Sequence, residues 1–255
     1  MKKNNEGKPR VLIYDIENSY TVGAVWGLYE QNVAEVLREP YFLTFSCKWL
    51  GESKIYVFSL PDFPMYKKDK RNDKELVLKL REFFDEADII IAHNGNAFDQ
   101  KMTYARFAVH KISPPSPSKY IDTKLVAKSK FKFNSNSLNN LGKYFKLGEK
   151  IDTGGIKLWI DCIENNDPKA WAKMCKYNKQ DVVLLEKVYK HMLPYMTNHP
   201  NLSILNGEIS GCPNCASLNV QKRGFSYSKG AKTIIKKQRI SCMKCGSWYT
   251  GPRVL

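Results

Sequence analysis

The amino-acid sequence predicts an α/β fold, a mixed sheet with helices on both of its faces, followed by a small separate module at the C-terminus. Three observations carry that prediction. Strand-like runs that look antiparallel come first, and strand and helix patterns then alternate. The composition finally changes abruptly after about residue 210.

Taken in order, residues 1–9 read as a basic tail. Strand-like runs follow at 10–16, roughly 22–30, roughly 41–50 and 54–59, each rich in β-branched and aromatic residues. "SLPDFPMYKKDKRND" reads as a loop, after which Asn72 or Asp73 can cap the helix "KELVLKLREFFDEA". "DIIIA", 88–92, is a short apolar run of the kind found in central strands, and "HNGNAFD" turns the chain into the helix "QKMTYARFAV". "SPPSPS" is a surface loop. "SLNNLGKYF" is helical, with Leu138, Leu141 and Phe145 on one face. A long helix spans about Pro168 to Met192, started by Asp167 and a proline at its first turn. The polar segment 197–210 reads as a linker between a domain over 10–196 and a module over 211–255.

Charge narrows the partners. The chain of 255 residues carries 41 Lys+Arg against 25 Asp+Glu, a formal +16. Nine of those basic residues and none of the acids fall in 211–255. A polyanion such as nucleic acid is the expected partner. No apolar run reaches the roughly 20 residues of a membrane span, and no signal-peptide core follows the basic start. A cytoplasmic location without membrane contact is therefore expected.

The tail module carries "CPNC" and "CMKC", separated by 26 residues. Each pair forms a tight knuckle presenting two thiolates, so Cys212, Cys215, Cys242 and Cys245 predict one tetrahedral, structural Zn²⁺. All four positions are taken by protein, which leaves none for chemistry. A zinc ribbon of this size needs its metal to fold. Between the knuckles, Phe225 and Tyr227 stand among Lys and Arg, a pattern that stacks bases while neutralising phosphates. Packing of Phe225, Tyr227 and Trp248 inside the module is the plainer alternative, and a ribbon can also bind a protein partner.

"VLIYDIENSY" ends an apolar strand in two carboxylates, Asp15 and Glu17, which share a face because strand side chains alternate. Asp99 lies where a central strand gives way to a helix, a place where ligands gather in open α/β sheets. A helix N-cap is its bland explanation. On the long helix, Asn178 and Asp181 interrupt the apolar stripe, with Tyr177 one turn before Asp181. Inward carboxylates are costly unless cations gather them, and hard oxygen donors suit two Mg²⁺ or Mn²⁺ ions.

These residues fall into motifs. D-x-E in "YDIEN", N-x₃-F-D in "NGNAFD" and Y-x₃-D in "YNKQD" resemble the three motifs of the DEDD exonuclease superfamily. The tyrosine four before the last aspartate is similar to its DEDDy branch, which includes the proofreading domains of family B DNA polymerases. The resemblance covers roughly residues 10–195. It implies an RNase H-like fold and a two-metal 3′–5′ exonuclease, with single-stranded DNA as the expected substrate. Under it, Asp15, Glu17, Asp99 and Asp181 hold the metals, while Tyr177 orients the attacking water and helps take its proton. Asn94 and Phe98 position the substrate end, and Asn18 begins a segment along the terminal nucleotide, where many relatives have Thr. Two other functions stay open: an exoribonuclease with the same chemistry, and an inactive nucleic-acid-binding adaptor for a replication or recombination partner. The four histidines form no ligand set. His93 reads as structural, and His110, His191 and His199 as surface or helix-end residues.

Overall fold

The computed structural model describes residues 8–29, 32–229 and 233–254. The tail expected over 1–9 falls mostly outside the described residues. The chain opens with β1 (Val11–Asn18), β2 (Val22–Ala24), β3 (Glu35–Arg38), β4 (Phe42–Trp49) and β5 (Ile55–Ser59). A 3₁₀ turn at Leu60–Asp62 and the helices α1 (Met65–Lys68) and α2 (Lys74–Glu86) come next. β6 (Ile89–Ala92), α3 (Asp99–Val109), β7 (Lys119–Asp122) and α4 (Thr123–Lys130) then alternate. α5 (Leu138–Tyr144), α6 (Lys157–Ile163), α7 (Pro168–Met192) and α8 (Leu202–Leu205) lead to β8 (Val220–Lys229), β9 (Ile234–Cys242) and β10 (Trp248–Val254).

The main sheet has the order β5-β4-β1-β6-β7. β1 pairs antiparallel with β4 and parallel with β6, so the sheet is mixed and β1 lies in its middle. Alternation along β1 feeds two cores. Leu12, Tyr14 and Ile16 join a cluster under α2, with Leu76, Leu80 and Phe84. Val11 and Ile13 join a second cluster, with Leu138 and Leu141 of α5 and Val182, Leu185 and Val188 of α7. Asp15 and Glu17 continue the odd-numbered series, so β1 presents them on the face that α7 covers.

Several local expectations change. The strand read over 22–30 is only the three-residue β2, paired with β3 in a separate two-stranded hairpin. Val25, Trp26 and Leu28 have strand-forming character but stand exposed with no ladder to join. The stretch read as a loop before α2 contains α1, and the segment read as linker contains α8, whose Leu202 enters the second core. α6 was not anticipated. Asp73 stands at the start of α2 but does not cap it. Its carboxylate accepts from the Phe42 amide at 2.8 Å and from Arg106 Nε at 2.8 Å, and also binds His110. His110 is the C-cap of α3, a helix-end position as expected, and its ring also joins the Asp73–Arg106 pair, while His199 meets the Tyr189 hydroxyl at 2.8 Å.

The cysteine-bearing segment forms its own sheet, β10-β9-β8, yet it is seated on the α/β body. Cys215, Ala216 and Cys245 pack against the second core. Asn214 is buried and its Nδ2 donates to the Leu193 and Met196 carbonyls, just past α7, and to Ser247 Oγ, each at 3.0 Å. Among the described residues no helix is long and apolar enough to cross a membrane.

Candidate functional site

The carboxylates of β1 and α7 meet. One oxygen from each of Asp15, Glu17 and Asp181 lies within 4.8 Å of the others. Asp181 is fully buried, and its Oδ1 has no hydrogen-bond partner. Asn178, one turn earlier on α7, donates from Nδ2 to Asp15 Oδ2 at 2.7 Å and fixes that carboxylate. A buried like-charged cluster is unfavourable, and the ionisations show it. The Asp15 carboxyl is pushed well above its ordinary range by burial and then by Asp99 and Glu17. Burial, then Asp181, raise Glu17 to about 8.

Asp99 stands just outside the three-carboxylate group. It is the first residue of α3, buried, after the loop that follows β6. Burial lifts its carboxyl to about 7 against the backbone amides of Asp99 and Ile16, which lower it. The loop before it is tightly constrained. Asn94 has a φ of 68°, a left-handed conformation that asparagine tolerates. A Cβ at Gly95 would lie 2.5 Å from the Ala92 Cβ, so only glycine fits there. Asp122 accepts from the amides of Asn94 at 2.9 Å and Asn96 at 3.1 Å while also capping α4. Phe98 is half-exposed at the start of α3. His93 is structural, bound to Thr123 Oγ1 at 2.8 Å and the Asn136 carbonyl at 2.9 Å.

One cation already faces the cluster, and sequence reasoning missed it. Lys150 Nζ lies 2.5 Å from Asp181 Oδ2 and donates to the Tyr177 hydroxyl at 2.9 Å. Burial would lower its pKa, but Asp181 and Asp15 outweigh burial and raise it. Nothing in "GEKIDTGG" separates this lysine from the other basic residues, because only tertiary structure brings its loop to α7. Burial, then Glu17 and Asp181, raise the Tyr177 hydroxyl well above its ordinary value, so it keeps its proton at neutral pH.

The donor set fits divalent cations: clustered hard oxygens, one of them buried without a partner. The four cysteines fit zinc equally well. Their Sγ atoms all lie within 4.8 Å of one another, with Cys212–Cys245 and Cys215–Cys242 at 3.6 Å. Tetrahedral Zn–S bonds of ~2.3 Å place sulfurs about 3.8 Å apart. The amides of Cys245 and Lys244 bring the Cys242 thiol down to about 7 against burial, whereas burial raises Cys212 to about 11 and Cys215 higher still, so a bound metal would supply the charge that deprotonates them. Phe225 and Tyr227 lie in the ribbon sheet rather than in the carboxylate cluster. Tyr227 is 65% exposed and Phe225 carries Lys236 Nζ 4.1 Å over its ring, while Trp248 is also exposed. These rings lie on the module's surface instead of filling its interior.

Comparison with known proteins agrees with this architecture. No curated protein sequence matches the chain significantly. The family B DNA polymerase from the hyperthermophilic archaeon Pyrobaculum calidifontis is structurally similar, with a TM-score of 0.55 and 16% identity. The match covers 80% of this chain and 26% of the polymerase, so the chain spans about a quarter of that protein's length. At this identity the likeness concerns the fold. A family model described as the RNase H superfamily matches residues 43–193, more than half of the sequence. By that match, and with the mixed sheet built around β1, the chain belongs to the RNase H superfamily.

Proposed function

We propose that this chain is a metal-dependent 3′–5′ exonuclease that hydrolyses phosphodiester bonds at the 3′ end of single-stranded DNA. The observation that carries the reading is the convergence of Asp15, Glu17 and Asp181 around a buried, unpartnered carboxylate oxygen. Asp15, Glu17 and Asp181, with Asp99 at the rim, hold two Mg²⁺ or Mn²⁺ ions, and Cys212, Cys215, Cys242 and Cys245 hold a structural Zn²⁺. When bound, the divalent ions supply Lewis-acid stabilisation of the phosphoryl oxygens and an activated water. Asn178 and Lys150 keep Asp15 and Asp181 in place for that role. Tyr177 orients the water through its hydroxyl, whose oxygen already accepts from Lys150. As the resemblance implies, Tyr177 also helps take the proton of that water. Asn18, Asn94 and Phe98 border the end of the substrate, and Phe225 and Tyr227 hold the strand further away on the ribbon.

The test is a 5′-labelled single-stranded DNA and an RNA of matched sequence, with Mg²⁺ or Mn²⁺, against an Asp15→Ala/Glu17→Ala control. A ladder shortening from the 3′ end, absent in the control and faster on DNA, is the expected result. Tight binding without cleavage would instead support an adaptor.

Lys150 has its own expected signature. Lys150→Gln leaves Asp181 buried without its ion pair, which destabilises the metal-free protein by about 1–2 kcal/mol after allowance for the exposed part of the lysine. Saturating Mg²⁺ shrinks that deficit, because the ion then neutralises the same carboxylates. Urea melts of both proteins with and without Mg²⁺ check it, and an unchanged deficit speaks against a shared role.

A further inference from the structure

The ribbon sheet is open on both sides. Along β8 no residue is buried, and along β9 only Cys242 is. An antiparallel sheet commonly packs one face on a core and turns the other to water. Here the knuckles and Asn214 attach the module to the α/β body, and the sheet itself keeps two solvent faces.

The pairing register sorts the side chains, because strand neighbours alternate and directly opposite residues share a face. Tyr227 stands opposite Lys236 and Phe225 opposite Gln238, which puts the two rings and Lys236 on one face. Ser226 stands opposite Lys237, Arg239 opposite Thr250 and Ser241 opposite Trp248, which puts Lys237, Arg239 and Trp248 on the other. Each face therefore repeats the same chemistry, an exposed ring beside cations. Trp248 is 60% exposed, close to the exposure of Tyr227. Residues 211–255 hold no acid to pair with those cations. Rings that stack bases and cations that neutralise phosphates together suit single-stranded nucleic acid, whose bases are free. No one base reaches both Tyr227 and Trp248, since the backbone layer of the sheet separates them.

We infer that the ribbon holds two single strands at once, one on each face, as the unpaired arms of a fork present them. This rests on the ribbon's role as a nucleic-acid holder in the proposed function and adds to it a second face and a second strand. Phe225 and Tyr227 take the strand being shortened, and Trp248, Lys237 and Arg239 take its unpaired partner. The two phosphate backbones are screened from each other across the sheet, because the Debye length at physiological salt is only about 8 Å. Once one arm is held, the other binds intramolecularly, so a forked end binds more tightly than an end with one arm.

The experiment uses the full zinc-loaded chain without Mg²⁺ or Mn²⁺, so that nothing is cut. Its probes are a DNA duplex ending in two unpaired oligothymidine arms and the same duplex with the 3′ arm alone, compared by fluorescence anisotropy. The fork is expected to bind at least about tenfold more tightly. Trp248→Ala/Arg239→Gln abolishes that advantage and leaves the single-armed affinity within about threefold, whereas Trp248→Phe, which keeps a ring, retains most of it. Phe225→Ala/Tyr227→Ala abolishes it from the other face, and joining the two pairs of substitutions weakens the single-armed duplex as well. Unchanged zinc content shows that each variant module is folded. A fork no tighter than the single-armed duplex overturns the inference, and so does an advantage that survives Trp248→Ala/Arg239→Gln in a zinc-loaded module. If the advantage behaves as expected but no 3′ end is shortened once Mg²⁺ is added, the exonuclease reading fails while the two-faced ribbon stands.

Discussion

Glu17→Gln is expected to abolish hydrolysis while making the metal-free protein more stable. The glutamine keeps the shape of the side chain but removes one charge from three carboxylates held within 4.8 Å of one another. Metal ions supply several kcal/mol of transition-state stabilisation, so loss of a ligand lowers kcat/KM by at least about 10³-fold. Stability moves the other way. Glu17 titrates near 8 in the folded chain, raised by burial and then by Asp181, against about 4.5 when unfolded. Between those values the folded state binds the extra proton, so stability falls as pH rises, and the glutamine escapes that loss. At pH 8 the variant should exceed the parent by about 1–3 kcal/mol, a range reduced for solvent at this half-buried carboxylate. The difference should vanish near pH 4, where both chains are neutral at this position. Saturating Mg²⁺ should reverse the order by stabilising the parent alone. Chemical denaturation across that pH range, with and without Mg²⁺, checks the pattern. A variant less stable than the parent without metal would mean that the cluster is held together by something other than a cation.

The parts of this site visible in the sequence are those governed by short-range periodicity. Alternation along Val11–Glu17 assigns both acids to one face, and the broken apolar stripe of α7 assigns Asn178 and Asp181 to the inward side. Both assignments follow from spacing alone, since a strand repeats every two residues and a helix every 3.6. Residues brought in by tertiary structure were not visible. Lys150 reaches Asp181 from a loop 31 positions away in the chain. Asp122 holds the Asn94 loop from the end of a neighbouring strand. Asp73 illustrates the same limit from the opposite direction. Its position before α2 has the form of a cap, but Arg106 on α3 and His110 just past its end draw the carboxylate away. The hairpin of β2 and β3 was misread for a related reason. Apolar, β-branched residues over 22–30 satisfy a strand pattern, yet a strand also needs a partner, and propensity says nothing about who that is.

Zinc removal is expected to destabilise the whole chain, not the ribbon alone. The abrupt change of composition after residue 210 argues for a separate module, and such a module would melt by itself. The packing argues differently. Cys215 and Cys245 lie against the same core as Val188 and Met192 of α7, and Asn214 satisfies two carbonyls just past the end of that helix. Without the metal the two knuckles lose the bonds that fold them. Asn214 then withdraws, leaving the Leu193 and Met196 carbonyls without that donor and part of an apolar face uncovered. Lost packing and hydrogen bonds of this kind cost about 2–4 kcal/mol in the α/β body. At about 2–4 °C per kcal/mol for a chain of this size, the midpoint falls by roughly 4–16 °C. Cys242→Ser should reproduce the effect of chelation, and Asn214→Ala a smaller part of it, with zinc still bound. Calorimetry distinguishes the two architectures: one transition that shifts as a unit means that the ribbon braces α7. An unshifted main transition, with a separate small one lost on chelation, would mean that the ribbon is an independent appendage. Because α7 also carries Tyr177 and Asp181, the first outcome ties the integrity of a structural metal centre to the geometry of the proposed catalytic one.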